Sequence, residues 1–177
     1  MSGHSKWSQI KHKKGISDQK KGQLFSKLAK KISVAAREGM DPSTNYKLQS
    51  VIDEARVLNM PKDNIERAIK KAGDKDTTAL NELVIQTMGP AGIALIIIAI
   101  TDNKNRTVNE IKHILAEHEI KMVPENSLNW MFDKNWNPHA PIETAPEIHQ
   151  KLDKLFEALD NNEDVENVYT NLAEPNL

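Results

Sequence analysis

The sequence predicts an α+β protein in two parts, a helical part over residues 1–75 and an α/β part over residues 76–177. Three observations point that way. Apolar residues recur at three- and four-residue spacing up to about residue 72, and in β-branched or alternating runs after about residue 82. The stretch "GDKDTT" at 73–78 has the composition of a linker between the two patterns. The charge reverses at the same place: residues 1–75 hold 17 Lys and Arg against 8 Asp and Glu, residues 76–177 hold 7 against 17, and the net charge of -1 conceals both.

Residues 1–16 show no periodic pattern, and their large apolar side chains are Met1, Trp7, Ile10 and Ile16, so they read as an arm pinned at Trp7. From Ser17 to Arg37 the spacing of Leu24, Phe25, Leu28, Ala29, Ile32, Ala35 and Ala36 predicts a helix, with Gly39 suited to its end. A second helix is expected over Asn45–Asn59 on Leu48, Val51, Ile52, Ala55 and Leu58. A third runs from Pro61, a residue favoured in a first turn, to Ala72, with Gly73 as the stop. Three short-looped amphipathic helices make a small bundle.

Glu82–Met88 and Gly92–Thr101 then read as strands joined by a "GPA" turn. Thr107 with Glu110 has the form of a capping box opening a helix that carries Val108, Ile111, Ile114 and Leu115. In "SLNWMFD", Leu128, Trp130 and Phe132 alternate as in a half-buried strand. Thr144 with Glu147 forms a second capping box before a helix on Ile148, Leu152, Leu155, Phe156 and Leu159, and Val165–Thr170 is a last strand. The order β-β-α-β-α-β predicts a four-stranded sheet with two helices on one face, a ferredoxin-like sandwich.

Composition excludes several function classes. The longest apolar run, "IALIIIAI" at 93–100, is far short of the roughly 20 residues of a membrane-spanning helix, and no signal-peptide core follows Met1. The absence of cysteine removes disulfides and thiolate zinc sites and fits a cytoplasmic protein. No G-x-x-x-x-G-K-[ST], G-x-G-x-x-G or G-x-S-x-G occurs, and His4, His12, His113, His118, His139 and His149 are scattered, so no enzyme, metal site or cofactor is expected.

What remains is the basic block. Lys6, Lys11, Lys13 and Lys14 lead into Lys20, Lys21, Lys27, Lys30 and Lys31 on the first helix, where Lys20, Lys27, Lys30 and Lys31, with Arg37, are expected on the arc opposite the apolar face. Trp7 offers a face for stacking on a base, or equally an anchor that packs the arm on the bundle. A charge run can be a solvated surface, but one extended along an arm and a helix suits a polyanion, because each neutralised phosphate releases counterions. The ten residues just named, Trp7 included, are the candidate nucleic-acid contacts. The acidic half faces away from that polyanion, or toward a basic protein partner.

Longer strings also carry a resemblance. "GHSKWSQIKHKK", "DQKKGQLFSKLAKKISVAAREG", "DPSTNYKLQSVIDEARVLNMPKDNIERAIKKA" and "GPAGIALIIIAITDNKNRTVNEIKHIL" resemble the YebC family, and "ETAPEIHQKLDKLFEALDNNEDVENVYTN" is similar to its C-terminal segment. The resemblance implies a helical N-terminal domain followed by two α/β domains, one inserted into the other. It also implies nucleic-acid partners: bacterial members are described as DNA-binding transcriptional regulators and as ribosome-associated factors that help synthesis through consecutive prolines, and mitochondrial members activate translation of cytochrome c oxidase. Here only "DKNWNPHAPI" lies between Phe132 and Glu143, a bridge over 133–143 where the family pattern places a further domain of roughly 70 residues. Trp136 in that bridge either covers surface the missing domain would bury or is a simple loop residue. The expected function is a non-enzymatic factor bound to ribosomal RNA; the alternatives are a duplex-DNA regulator and an interaction protein whose basic face is masked by the acidic part.

Overall fold

The computed structural model describes residues 18–74 and 79–173, and the chain divides into two compact units, a helical one built on residues 16–81 and an α/β one on residues 82–177. In the helical unit α1 spans Asp18–Ala35, α2 Tyr46–Val57 and α3 Lys62–Ala72. The expected helices are all present, with no end moved by more than two residues. α1 tightens into a 3-10 turn over Ala36–Glu38 and stops at Gly39, whose φ of 156° disfavours a side chain. Pro61 sits just outside α3 as its cap.

The helices run up, down and up. Asn45 Nδ2 donates to Ala35 O at 2.7 Å and Lys31 Nζ lies 2.6 Å from Glu54 Oε2, which sets α2 antiparallel to α1. Ser33 Oγ donates to Ala68 O at 2.8 Å, tying the later turns of α1 and α3 together. Leu28, Ile32, Leu48, Ile52, Ala55, Met60, Ile65 and Ala68 close the core. Alanines at 35, 36, 55 and 68 let the backbones approach.

The α/β unit runs β1 (Asn81–Met88), β2 (Ala94–Thr101), α4 (Lys104–Glu117), β3 (Lys121–Met122), α5 (Pro146–Asn161) and β4 (Val165–Thr170), and its strands lie in the order β3-β1-β2-β4. This is the expected α+β order of elements. The β1–β2 turn folds through a 3-10 segment in which Ala91 and Gly92 take φ of 56° and 76°, and Gly89 N–H donates to Ile93 O at 2.7 Å. Strand β2 is central and buried on both faces, which is why its sequence is a continuous apolar run instead of an alternation. Leu95, Ile97 and Ala99 meet Ile111 and Leu115 of α4 and Leu152, Leu155, Phe156 and Leu159 of α5, so both helices cover one face. Ala94 and Ile96 point the other way, against Leu128 and Phe132, with Val123, Met131 and Trp136 packed around them. Trp136 thus covers sheet surface.

Three expectations are corrected. "SLNWMFD" is a series of turns, not a strand: Leu128 and Phe132, four apart, are buried together while Trp130 is 73% exposed, and the third strand is the two-residue β3 before it. Thr107 does not cap a helix. The cap of α4 is Asn103, which accepts from Arg106 N–H at 3.1 Å, and Thr107 is buried inside the helix. Nor does Thr144 cap α5, which starts at Pro146 in the first turn with no side-chain cap; the Thr144 hydroxyl lies 3.1 Å from His149 Nε2 instead.

Candidate nucleic-acid interface

Of the predicted contacts, Lys6, Trp7, Lys11, Lys13 and Lys14 lie outside the described residues. The other five are on α1 but are not equivalent. Lys21 is exposed, Lys20 and Lys30 are half-buried, and Lys31 is half-buried and paired with Glu54 at 2.6 Å. Lys27 is 4% exposed, which corrects its expected place on an open basic arc. The wheel gives the reason: Lys27 stands about 60° from Leu24, on the flank of the apolar arc and not opposite it.

The helical unit holds cations that the reading of the arm and first helix passed over. Lys47 pairs with Glu38 at 2.6 Å, Arg56 with Asp53 at 3.1 Å and Lys62 with Glu66 at 3.5 Å. Arg67, Lys70 and Lys71 on α3 are exposed with no carboxylate partner among the described residues; Arg67 instead takes the Asn64 side chain and the Asp63 carbonyl. Their signal was present in Arg67 and Lys70, which the wheel sets about 160° and 140° from Ile65.

One end of the bundle gathers unlike groups. Asn45, the cap of α2, accepts from Leu48 N–H at 3.1 Å and donates to Ala35 O and Gly39 O at 2.7 and 2.8 Å. Asp41 accepts from the Ser43 hydroxyl and amide at 2.7 and 2.9 Å, which holds its carboxyl below the ordinary value. In this connection between α1 and α2, Tyr46 is 87% exposed and Met40 is exposed as well. Arg37 reaches Leu80 O at 2.5 Å, and a Cβ on Gly73 would stand 3.2 Å from Met40 Sδ, so the last turn of α3, with Lys70 and Lys71, is at this end too.

The α/β unit offers a different chemistry. Asp164 is buried and accepts from Thr107 Oγ1 at 2.6 Å and Arg106 at 2.8 Å, and Thr107 also meets Thr101 Oγ1 at 2.8 Å. The Asp164 carboxylate bonds to the Arg106 guanidinium and raises its pKa. This clasp joins the start of α4 to the loop before β4 with its polar atoms satisfied, a stabilising arrangement and not a reactive one. Among the described residues no group of three or more His, Asp or Glu could hold a metal ion, and no helix is long and apolar enough to cross a membrane.

Residues 5–75 match the family described as TACO1/YebC protein N-terminal domain, and residues 80–136 match TACO1/YebC second and third domain. A probable transcriptional regulatory protein of Desulfosudis oleivorans is 43% identical over 95% of this chain and 74% of its own length. One from Thermosipho melanesiensis is 47% identical over 85% of this chain and 60% of its own length. Another, from Thermoanaerobacter pseudethanolicus, is 36% identical over 238 residues, 97% of each chain. An alignment longer than the 177 residues of this chain must bridge an internal gap. The crystal structure of a conserved hypothetical protein from Aquifex aeolicus superposes with a TM-score of 0.86 at 28% identity over 98% of both chains. With a family match across both units and relatives aligned from end to end, the chain belongs to the TACO1/YebC family.

Proposed function

We propose that this chain is a cytoplasmic regulator of gene expression that acts by binding nucleic acid and not by catalysis, with ribosomal RNA as its target. The observation that carries the reading is the division of charge: 17 basic against 8 acidic residues over 1–75, 7 against 17 over 76–177. Lys21, Arg67, Lys70 and Lys71 add exposed cations on the helical unit itself. Regulation is what the relatives' names describe, since they are probable transcriptional regulatory proteins.

Lysine contacts to phosphate carry no sequence information, and they suit a structured RNA recognised by shape. A duplex-DNA target is the second reading, favoured by those same names. Against it, the exposed side of α3 sets Asp63 and Glu66 among Lys62, Arg67 and Lys70, and carboxylates on a helix laid in the major groove would face phosphate. We place the internal gap in the bridge at 133–143, so that the short form keeps the binding unit and lacks the inserted domain.

The test is binding of the intact chain to ribosomal RNA and to random-sequence duplex DNA across a salt series. Log affinity should fall steeply with log salt, and Lys20→Gln, Lys21→Gln and Lys30→Gln together should flatten the slope by about 2, at roughly 0.7 per lost contact on single strands. Tighter binding to one duplex sequence than to RNA would move the assignment to DNA. A slope near zero would end both readings.

A further inference from the structure

Tyr46 has no packing role in the bundle. The residues α2 buries are Leu48, Ile52 and Ala55, with Val51 packed beside them, while Tyr46, in the first turn, is 87% exposed. An aromatic ring normally buries 150–250 Å², so a tyrosine left in water at a position any small residue could hold invites a ligand. The ring is also presented from a rigid mount. The three Asn45 hydrogen bonds fix the preceding residue to α1, to Gly39 and to the first turn of α2, so little ordering remains to oppose binding. Met40 is exposed in the same connection, and Arg37, Lys70 and Lys71 carry positive charge at the same end of the helices.

We propose that Tyr46 is a stacking platform for an unpaired nucleobase, with the cations at this end of the bundle taking the flanking phosphates. This rests on the nucleic-acid reading and narrows it to a target with exposed single-stranded positions. Bases inside a duplex already have both faces stacked, so a single exposed ring can engage only a base that is splayed out. The two ends of α1 are about 25 Å apart at 1.5 Å per residue. A strand touching both Lys21 and Tyr46 therefore crosses the length of the bundle.

The experiment compares the intact chain with Tyr46→Ala and Tyr46→Phe, using a single-stranded RNA that carries a fluorescent adenine analogue and a duplex of the same sequence. Tyr46→Ala should weaken single-strand binding about tenfold and abolish the fluorescence change, and Tyr46→Phe should restore both. Duplex affinity and the salt slope should stay as in the parent. If Tyr46→Ala binds single strands as the parent does, or weakens duplex equally, the stacking role is overturned while the lysine-dependent slope still supports nucleic-acid binding. If the parent binds no RNA at all, the wider reading falls with it. Amide exchange in α2 shows that the variants keep the bundle folded.

Discussion

Replacing Asn45 tests how the bundle holds the turn that presents Tyr46. Its side chain does three jobs from an almost buried position: it caps α2 at Leu48 N–H and donates to the carbonyls of Ala35 and Gly39. Asn45→Ala loses the cap, about 1 kcal/mol, and two hydrogen bonds of about 1 kcal/mol each, or about 3 kcal/mol in all. Asn45→Ser keeps the cap and should lose about 2 kcal/mol. Asn45→Asp is the decisive variant. By capping preference alone aspartate equals asparagine, yet here it would set a carboxylate oxygen against two carbonyl oxygens, and it should be at least as damaging as alanine. The assay is native-state hydrogen exchange of the Ile52 and Ala55 amides, whose protection reports the opening free energy of α2. The expected order is Asn, Ser, Ala, then Asp. An aspartate variant as protected as the parent would refute the donor role assigned to the Asn45 amide.

In the α/β unit, Asp164→Ala should cost about 3 kcal/mol in urea unfolding, the low end for breaking a buried pair because Arg106, half-exposed, can be rehydrated; Asp164→Asn, which keeps an acceptor for Thr107, should cost less. Asp133 accepts from the Asn137 side chain and from the amides of Asn137 and Asn135, which hold its carboxyl below the ordinary value of 3.8. A depressed carboxylate contributes stability above its unfolded value and loses it as pH falls through the folded one. The Asn135 and Asn137 amide resonances should therefore shift below pH 3.8 in the parent and show no such titration in Asp133→Ala.

Apolar spacing made the helices legible, because burying one stripe is what stabilises a helix in a bundle. Strand β2 was legible for the complementary reason, that two covered faces demand a continuous apolar run. The errors came where two local rules compete. Thr107–Glu110 and Thr144–Glu147 match the capping box, but Asn103 and Pro146 lie closer to the true starts and win. Leu128, Trp130 and Phe132 fit a two-residue period, while burial follows the four-residue spacing of Leu128 and Phe132 through consecutive turns. Strand β3, two residues long, has no period to read. At the interface, charge located the helical part, and the wheel read residue by residue puts Lys27 on the flank of the apolar arc, but the pairing of Lys31 with Glu54 and the exposure of Tyr46 depend on neighbouring elements.

The segment between β3 and α5 is held by two separate fastenings. Phe132 forms an antiparallel bridge with Pro138, and Ile142 forms a parallel bridge with Leu172. The first includes the His139 N–H, which donates to Met131 O at 2.9 Å, and between the two fastenings Ala140 and Pro141 are exposed. Since each flank is latched to its own partner, the backbone could be cut or lengthened there and neither latch would feel it, and closing a longer loop costs only about 0.6 kcal/mol for each doubling. Ala140 and Pro141 form a natural port: a fluorescent protein, an affinity tag or an entire folded module could be spliced in while the sheet and both its covers stay assembled.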